Sequence, residues 1–597
     1  MRSLLFILLL NFISSVVYSQ FLIQNVEGRK TTSLNGRWQA IIDPYENGYY
    51  NYRYEPRSDG YFKNQKPETK SDLIEYDFDT SEPLFVPGDW NTQREKLFLY
   101  EGTIWYKRSF DYVMPPSKRL FLNFGAVNYE AQVYLNGEKI GEHTGGFTPF
   151  CFEITNKVKA RDNFIVVKVD NQRHREGVPT VNTDWWNYGG ITRDVQLIEV
   201  PSIFIRDYFI QLTSNSIDTI AGWIQIEGLS EEQTCTIEIP EAGIIQHFTT
   251  DKKGVCNFRF PVRLKCWTPE LPKLYKVHIK TATDSMVDHI GFRTITAKGN
   301  DILLNGKSIF LRGICLHEEA PLRGGRASRK EDAVILLQWA KELGCNFVRL
   351  AHYPHNEHMI REAEKTGLLV WAEIPVYWTI LWKNPETYSL AEQQLVEMIT
   401  RDKNRAPIII WSVANETPRS PERLNFLKRL VLKARSLDPT RLISAATELT
   451  TRGSEIILDD PLITELDVIG ANEYFGWYSG KPEEIPQKKW STLYEKPLII
   501  SEFGGDALQG YHSTPDTRWT EDYQSTLYTY QIGMLRSIPF LRGMSPWILT
   551  DFRSPRRPLP GIQDFWNRKG LISSSGIRKD AFFILQSFYQ EMSHKYE

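Results

Sequence analysis

The sequence predicts a multidomain protein with β and α/β parts: an N-terminal β-sandwich, an immunoglobulin-like β-sandwich and a C-terminal (β/α)8 TIM barrel. Three observations support this prediction. The chain has 597 residues, more than one hydrophobic core accommodates. Its first half alternates short apolar strands with turn dipeptides, which is typical of sandwiches. Its second half alternates apolar strands with helical patterns, which is typical of a barrel.

Residues 1–19 have the pattern of a signal peptide. Arg2 supplies the positive start, Leu4 to Leu10 form the apolar run, and small residues precede Gln20. The apolar run is too short for a membrane span. We therefore expect export, with periplasmic retention or secretion as the outcome, and a mature chain that starts at Gln20.

The two predicted sandwiches cover residues 20–200 and 201–295. Strands such as 119–124 in the first and 220–226 in the second have the expected length and alternation. Asn136-Gly137 is a strong hairpin signal, because both residues tolerate positive φ. Cys235 and Cys256 lie in the second sandwich, and the sequence leaves open whether they pair.

The predicted barrel covers residues 296–597. Ser328 to Glu331 has the pattern of a capping box before the first helix. Strands are predicted at 346–350, 368–373, 408–415, 442–446, 467–473, 497–501 and 543–550. In such a barrel, chemistry occurs at the C-terminal ends of the strands.

Composition narrows the classes of partner. The net charge of −2 and pI near 6.6 give no electrostatic reason to expect nucleic acid or an anionic membrane surface. Aromatic residues make up 13% of the chain, which suits sugar stacking and large sandwich cores equally. A carbohydrate substrate is the expected partner, and a homo-oligomer stays open.

Two of the predicted barrel strands end in a carboxylate. Residues 408–415 run into Glu416, and residues 497–501 run into Glu502, which lies 86 positions later. A buried strand carries a charge only at its end, and two glutamates so placed are what hydrolysis of a glycosidic bond requires. We expect Glu416 to act as acid and base, and Glu502 as the nucleophile of a retaining mechanism. The repulsion between their charges should raise the proton affinity of one of them.

Other polar or aromatic residues fall at the ends of the same predicted strands. They are His317, Glu318, His352, Asn415, Asn472, Tyr474 and Trp547. The histidines of segment 352–358 do not have the HExxH spacing of a zinc site, so they are interpreted as substrate-binding or structural residues. No metal and no cofactor is expected.

The chain resembles glycoside hydrolase family 2, which contains β-galactosidases, β-mannosidases and β-glucuronidases. The resemblance covers nearly the whole mature chain. Residues 34–38, 86–90 and 134–137 look like landmarks of the family's sugar-binding jelly-roll domain, and 304–318 like the strand that leads into its barrel. Asn415-Glu416 is similar to the acid/base motif, and Ser501 to Gly504 to the nucleophile motif.

The resemblance implies further roles. Asn415 would hydrogen-bond the 2-hydroxyl of the sugar, and Tyr474 would orient the nucleophile. Asp184 matches a jelly-roll loop that reaches the barrel mouth, where it would accept hydrogen bonds from a distal hydroxyl.

Asn567 and Lys569 resemble the Asn-x-Lys-Gly motif that β-glucuronidases use to hold the uronate carboxylate, and a cation with an amide donor suits that group. Close bacterial glucuronidases have an arginine four residues before the motif asparagine, where this chain has Gln563. Arg556 and Arg557 are the candidates for replacing it. A neutral galactose would leave Lys569 unpaired, and the alternative interpretation of Lys569 is a solvated lysine in a basic loop.

The resemblance thus implies an exported, retaining exo-β-glucuronidase that removes terminal glucuronic acid from oligosaccharides of a polysaccharide or from small glucuronides. Two alternatives remain. One is a β-galactosidase on the same scaffold, for which His317-Glu318 would belong to a Mg²⁺ site. The other is a carbohydrate-binding protein without catalysis, which would have no need of paired carboxylates.

Overall fold

The computed structural model describes residues 22–57, 68–72, 76–228 and 231–596. The proposed signal peptide lies outside these residues. The chain forms, in order, a first β-sandwich, a second β-sandwich and a closed eight-stranded barrel with its surrounding helices. No helix in the described ranges is both long and apolar enough to cross a bilayer.

The first sandwich packs a four-stranded sheet, in the order β1-β12-β5-β9, on a six-stranded sheet, in the order β3-β2-β4-β10-β7-β8. A two-stranded ribbon, β11-β6, accompanies them. The strands are β1 (Lys30–Ser33), β2 (Gly36–Asp43), β3 (Pro83–Val86), β4 (Thr103–Phe110), β5 (Lys118–Phe124), β6 (Val127–Asn128), β7 (Glu130–Leu135), β8 (Glu138–Thr144), β9 (Phe150–Glu153), β10 (Asn163–Asp170), β11 (Gly190–Ile191) and β12 (Val195–Pro201).

The hairpin predicted in this sandwich joins β7 to β8. Asn136 and Gly137 both have positive φ, at 54° and 89°, and Leu135 pairs with Glu138 across the turn. This geometry matches the right-handed twist of the flanking strands. The hairpin prediction is confirmed.

The second sandwich has a three-stranded sheet, β13-β14-β17, and a four-stranded sheet, β16-β15-β18-β19. Cys235 on β15 and Cys256 on β17 are buried free thiols in the core between the sheets. The strands are β13 (Phe204–Leu212), β14 (Thr219–Glu227), β15 (Thr234–Ile239), β16 (Ile244–Thr249), β17 (Val255–Pro261), β18 (Tyr275–Lys280) and β19 (Ser285–Ile290).

The barrel closes in the order β23-β24-β25-β26-β27-β30-β32-β33, with parallel pairing throughout. Its strands are β23 (Leu311–Leu316), β24 (Phe347–Leu350), β25 (Leu369–Glu373), β26 (Ile408–Asn415), β27 (Leu442–Thr447), β30 (Ile469–Asn472), β32 (Leu498–Glu502) and β33 (Leu541–Met544). The helices are α1 (Lys330–Glu342), α2 (Glu357–Thr366), α3 (Pro385–Asp402), α4 (Pro421–Leu437), α5 (Glu521–Leu535) and α6 (Asp580–Tyr596).

Three small sheets complete the structure. A meander, β20-β21-β22, leads into the barrel, while β28-β29-β31 and β34-β35 are built from loops beyond the barrel strands. Their strands are β20 (Ile295–Lys298), β21 (Asp301–Leu304), β22 (Lys307–Ser308), β28 (Thr450–Arg452), β29 (Glu455–Leu458), β31 (Lys489–Thr492), β34 (Phe552–Arg553) and β35 (Trp566–Asn567).

Two local predictions in the barrel were wrong. The residue that caps helix α1 is Arg329, and the Asp332 carboxylate accepts the Arg329 backbone N–H at 3.0 Å, so the capping box is shifted by one residue. The last barrel strand ends at Met544 and not near residue 550. Residues 547–550 leave the barrel wall, which places Trp547 at its mouth.

Candidate active site

Glu416 and Glu502 lie at the same end of the barrel. Glu416 directly follows β26, all eight residues of which are buried, and Glu502 is the last residue of the fully buried β32. Burial is the main cause of the raised pKa of Glu502, and the charge of Glu416 raises that pKa further, so the two carboxylates are close enough to repel each other. The structure therefore brings together the two glutamates that the sequence selected.

Hydrogen bonds hold both oxygens of the Glu502 carboxylate. Arg349 Nη1 donates to Oε1 and the Tyr474 hydroxyl donates to Oε2, each at 2.7 Å. His352 Nε2 lies 3.7 Å from Oε1. Burial raises the pKa of the Glu502 carboxyl, and Arg349, His352 and Tyr474 oppose that shift. These contacts orient the carboxylate and favour its charged form.

Arg349 is the central cation of the site, and it was not among the site residues predicted from the sequence. It lies on β24, is fully buried, and binds Glu373 at 2.9 Å as well as Glu502. Glu373 also accepts from Trp371 Nε1 at 2.8 Å and contacts His352 Nδ1 at 2.8 Å. Burial alone would raise the pKa of Glu373, but Arg349 and His352 hold it at about 2.

Among the residues that the structure describes, the hydrogen-bond donors to the Glu416 carboxylate are both neutral. Trp378 Nε1 donates to Oε2 at 2.8 Å, and Asn472 Nδ2 donates to Oε1 at 3.0 Å. Glu416 and Trp378 both have left-handed backbone conformations, with φ of 47° and 54°. The left-handed conformation is energetically unfavourable for residues other than glycine, and residues held in it concentrate at functional sites.

The two amides that flank the carboxylates are fixed by one network. Asn415 Oδ1 accepts from Arg349 Nη2 at 2.7 Å and from Asn472 Nδ2 at 3.2 Å, and Asn472 Oδ1 accepts from the Ser501 hydroxyl at 2.7 Å. The Asn415 Nδ2 donor is buried and has no partner among the described residues. It is a free donor for a bound molecule.

His317, His352 and Trp547 form an aromatic floor. The Trp547 ring stacks on His352, with centroids 4.8 Å apart, and meets His317 edge-on at 5.1 Å. Trp185, from the first sandwich, packs on both histidines. Burial lowers the pKa of His317 well below its ordinary value, so its ring is neutral. Its Nε2 is buried without a partner within the part of the chain that the structure describes.

Glu318, the neighbour of His317, has a structural role. Its carboxylate is fully buried, pairs with Arg193 at 3.2 Å and with Arg326 at 2.8 Å, and accepts the Asn356 N–H. Burial alone would raise its pKa, but the arginines bring it to about 2. Because arginines occupy both oxygens, His317-Glu318 does not form the Mg²⁺ site of the galactosidase alternative.

Lys569 is buried at the site, so the interpretation as a solvated lysine was wrong. Its Nζ lies 2.7 Å from Asp506 Oδ2, donates to the Tyr478 hydroxyl at 2.8 Å, and sits 5.7 Å from the centre of the Tyr474 ring. Burial favours a lower pKa for Lys569, but Asp506 and Tyr478 raise it above its ordinary value. The expectation that a neutral sugar would leave Lys569 unpaired was also wrong, because Asp506 neutralises it.

Asp184 lies at the barrel mouth and comes from the first sandwich, which is the position that the family resemblance implied. Its carboxylate pairs with the Arg557 guanidinium, accepts from the Ser554 hydroxyl at 2.6 Å, and lies 3.4 Å from Asn567 Nδ2. Arg557 also donates to the Tyr478 hydroxyl at 3.2 Å, which Lys569 shares. Of the two arginines proposed to replace the arginine missing at Gln563, Arg557 is therefore the one beside Lys569.

The residues missed from the sequence are of two kinds. Glu373 ends an apolar strand in the same way as Glu416 and Glu502, and Arg349 interrupts one, so a search for every charge on an apolar strand would have found both. Trp378, Tyr478 and Asp506 lie in loops and give no periodic signal. Only the folded structure shows their contacts with Glu416 and Lys569.

Comparison with known families agrees with this architecture. Residues 295–594 match the family model described as glycosyl hydrolases family 2, TIM barrel domain, and residues 32–201 match that of the family 2 sugar binding domain. The first match alone covers just over half of the chain. The chain belongs to glycoside hydrolase family 2. It is a glycoside hydrolase with a sugar-binding N-terminal domain and a TIM barrel.

Individual relatives are distant but nearly full-length. A β-glucuronidase of Paenibacillus borealis is 28% identical over an alignment of 570 positions, gaps included, that covers 85% of this chain and 92% of the relative. A β-glucuronidase of an uncultured Clostridium species superposes with a TM-score of 0.81 at 25% identity, over 96% and 99% of the two chains. A family 2 β-galacturonidase of Eisenbergiella tayi bound to galacturonate shares the fold, with a TM-score of 0.79 at 24% identity over 96% and 99%.

Proposed function

We propose that this glycoside hydrolase is an exported, retaining exo-β-glucuronidase that removes terminal β-D-glucuronic acid from oligosaccharides. Glu502 is the nucleophile, and Glu416 is the acid and base. The observation that carries the choice of sugar is the buried Lys569 ammonium beside Tyr474, which itself binds Glu502. The names of the relatives point to the same sugar.

In the first step, Glu502 attacks the anomeric carbon and forms a glycosyl ester, while the bond to the leaving oxygen breaks. Glu416 gives its proton to that oxygen. Arg349 and Tyr474 keep Glu502 aligned, since each holds one carboxylate oxygen. In the second step, Glu416 takes a proton from water, whose oxygen attacks the anomeric carbon and releases Glu502.

The unpartnered polar atoms of the site, a donor on Asn415 and a ring nitrogen of His317, suit sugar hydroxyls, which both donate and accept. The Asn415 amide is held by Arg349, which binds Glu502, and by Asn472, which binds Glu416. Its unpartnered Nδ2 is assigned to the 2-hydroxyl of the sugar. His317 Nε2, on the aromatic floor, is available to a second hydroxyl. A buried donor without a partner costs free energy, and a substrate hydroxyl relieves that cost.

The C6 carboxylate is assigned to Lys569 and Asn567. Both are buried, and Asn567 Oδ1 accepts the backbone N–H of Lys569 at 3.1 Å, which fixes the Asn567 side chain against the Lys569 backbone. A carboxylate that reaches Lys569 gains a charge-assisted hydrogen bond in a site shielded from water. A neutral sugar offers only a hydroxyl at this position, so its hydrogen bond lacks the attraction between two opposite charges.

The pairing of Lys569 with Asp506 favours one second candidate, a β-galactosidase, because the lysine already has a counterion without a substrate carboxylate. A binding protein without catalysis is the weaker alternative. Glu416 and Glu502 each have specific donors that would serve no purpose in a protein that only binds sugar.

The test compares initial rates on aryl β-D-glucuronide, β-D-galacturonide and β-D-galactoside, for wild type, Lys569→Met and Lys488→Met. Lys488 is the matched control, because its ammonium lies 4.8 Å from the Phe475 ring centre, much as Lys569 lies 4.9 Å from that of Tyr478. We expect the wild type to prefer glucuronide. Lys569→Met should lower kcat/KM for it by about 10- to 100-fold relative to galactoside, whereas Lys488→Met should not change that ratio.

Preference for the galactoside, with Lys569→Met indifferent, would contradict the proposed sugar. Preference for the galacturonide would keep the role of Lys569 and change the assigned configuration of the sugar at C4.

Export is tested separately, by fractionating cells that express the full chain and sequencing the N-terminus of the mature protein. Cleavage before Gln20 is the expected result.

A further inference from the structure

Two consecutive arginines, Arg556 and Arg557, lie at the barrel mouth and face different parts of the site. Arg557 pairs with Asp184 and donates to Tyr478, on the side of Lys569. The Arg556 guanidinium lies over the Trp378 ring, 4.9 Å from its centre, and donates to Asn182 Oδ1. The backbone thus directs one cation to the sugar and the other to the Trp378 side.

Trp378 marks the side on which the leaving group lies. Its indole N–H binds the Glu416 carboxylate at 2.8 Å, and Glu416 must reach the leaving oxygen to protonate it. The Arg556 guanidinium is therefore only one indole ring away from the proposed acid. A substrate unit that contacts the Arg556 guanidinium is therefore the first unit of the leaving group and not the terminal sugar.

The charge of Arg556 is available. Its side chain is exposed, and no carboxylate in the described ranges lies within ion-pair distance of it, in contrast to Arg557. Asn182 and the Trp378 ring restrict its position without neutralising it. A cation that is held in place but not paired is suited to an anionic ligand.

A groove is lined by segments that follow Trp378 and Glu416 in the sequence. It has a volume of about 730 Å³ and lies between segment 380–386, which follows Trp378, and segment 420–422, which follows Glu416. Lys383 and Glu422 pair across these two segments at 2.9 Å. Because these segments begin two residues after Trp378 and four residues after Glu416, the groove gives further sugars of a leaving chain a path away from the acid.

We propose that Arg556 on Trp378 forms a leaving-group subsite for a sugar that carries a negative charge, and that the preferred substrates are anionic oligosaccharides longer than a disaccharide. This inference rests on the proposed function and adds the nature of the leaving group to it. Arg556 would bind the anionic oxygens of the leaving sugar, and either a sulfate ester or the carboxylate of a second uronate supplies such oxygens.

The experiment measures kcat/KM on three synthetic disaccharides with a non-reducing β-glucuronate, linked to a neutral, a sulfated or a uronate sugar, and on an aryl β-glucuronide. The variants are Arg556→Gln and Arg37→Gln. Arg37 is the matched control, an exposed arginine 5.5 Å from the Phe85 ring centre on the first sandwich.

The wild type is expected to favour at least one anionic disaccharide over the neutral one by about fivefold to tenfold. Arg556→Gln should remove that preference, and Arg37→Gln should keep it. Raising the ionic strength from about 0.02 to 0.5 M should also reduce the preference, because salt screens an exposed cation. Whether the sulfated or the uronate disaccharide is preferred identifies the anionic group that Arg556 binds. Trisaccharides of the same type should be cleaved faster than disaccharides if the groove is used.

Equal kcat/KM for the anionic and neutral disaccharides in the wild type would overturn the inference. So would a preference that survives in Arg556→Gln. Cleavage of the aryl glucuronide in either case would leave the proposed function standing. If the aryl glucuronide is not cleaved at all while the galactoside is, the proposed function fails, and this inference fails with it.

Discussion

The two sides of the active site hold a carboxylate in different ways. Glu502 meets the Arg349 cation and the Tyr474 hydroxyl, is almost completely buried and ends a strand. Glu416 meets two neutral donors, from Trp378 and Asn472, is half-buried and lies just beyond its strand, in a left-handed conformation. One carboxylate is fixed by charge, and the other only by hydrogen bonds.

This difference separates two chemical tasks. A nucleophile must be ionised and aligned before the substrate binds, and a fixed cation favours that state. A group that gives and then takes a proton must be stable in both forms, and a neighbouring arginine would favour only one of them. The surroundings of Glu502 and Glu416 therefore support the roles proposed for them, independently of their order in the sequence.

The largest expected effect comes from replacing the nucleophile. Glu502→Gln should lower kcat on aryl glucuronide by about 10⁴-fold or more, because the amide cannot form the glycosyl ester. Steady-state kinetics measures the loss, and unchanged thermal unfolding shows that the fold is intact. Residual activity within tenfold of the wild type would remove Glu502 from its proposed role.

The second effect distinguishes the acid from the nucleophile. Glu416→Gln should lower kcat/KM by about 10²- to 10⁴-fold for a poor leaving group, and much less for a nitrophenol, which needs no proton. Rates on a series of aryl glucuronides with different leaving-group acidity measure this dependence. An equal loss on all of them would contradict the assignment of Glu416 as acid.

The same variant tests the repulsion between the carboxylates. The Glu416 charge raises the pKa of Glu502, so its removal should lower that pKa and move the acidic limb of the kcat/KM profile to lower pH. The nitrophenyl substrate makes the measurement possible, since the variant still cleaves it. A shift to higher pH would show that the two carboxylates do not interact as described.

The smallest expected effect concerns Glu373, which shares Arg349 with Glu502. Its folded-state pKa of about 2 lies below the ordinary value of about 4.3, so its stabilising contribution is present above pH 4.5 and is lost as pH falls toward 2. The shift corresponds to about 3 kcal/mol in the free energy of unfolding. Urea unfolding of wild type and Glu373→Gln should therefore differ most near pH 6 and least near pH 3.

Glu591→Gln is the control for this pH series, because its carboxylate pairs with Arg536 at the surface. Its effect on stability should be small and nearly independent of pH. A difference between wild type and Glu373→Gln that is constant from pH 6 to pH 3 would show that Glu373 does not titrate as expected.

The proposed catalytic pair could be found from the sequence because a buried strand admits a charge only at its end. Ile408 to Glu416 and Leu498 to Glu502 show this directly, and the closed barrel places both ends at one mouth. The same rule applied to Leu369 to Glu373 would have given a third glutamate with a different function. Strand patterns thus determine which carboxylates reach the mouth, but not what each one does there.

The sequence by itself determined the barrel, the two sandwiches and the position of Glu416 and Glu502, because apolar periodicity and strand ends are local properties of the chain. The tertiary structure alone decided that Arg349 binds Glu502, that Asp506 neutralises Lys569, and that Asp184 forms an ion pair with Arg557. Each of these pairs joins residues that are far apart in the sequence. Their partners depend on which side chains a folded barrel buries together, and burial makes each pairing energetically decisive.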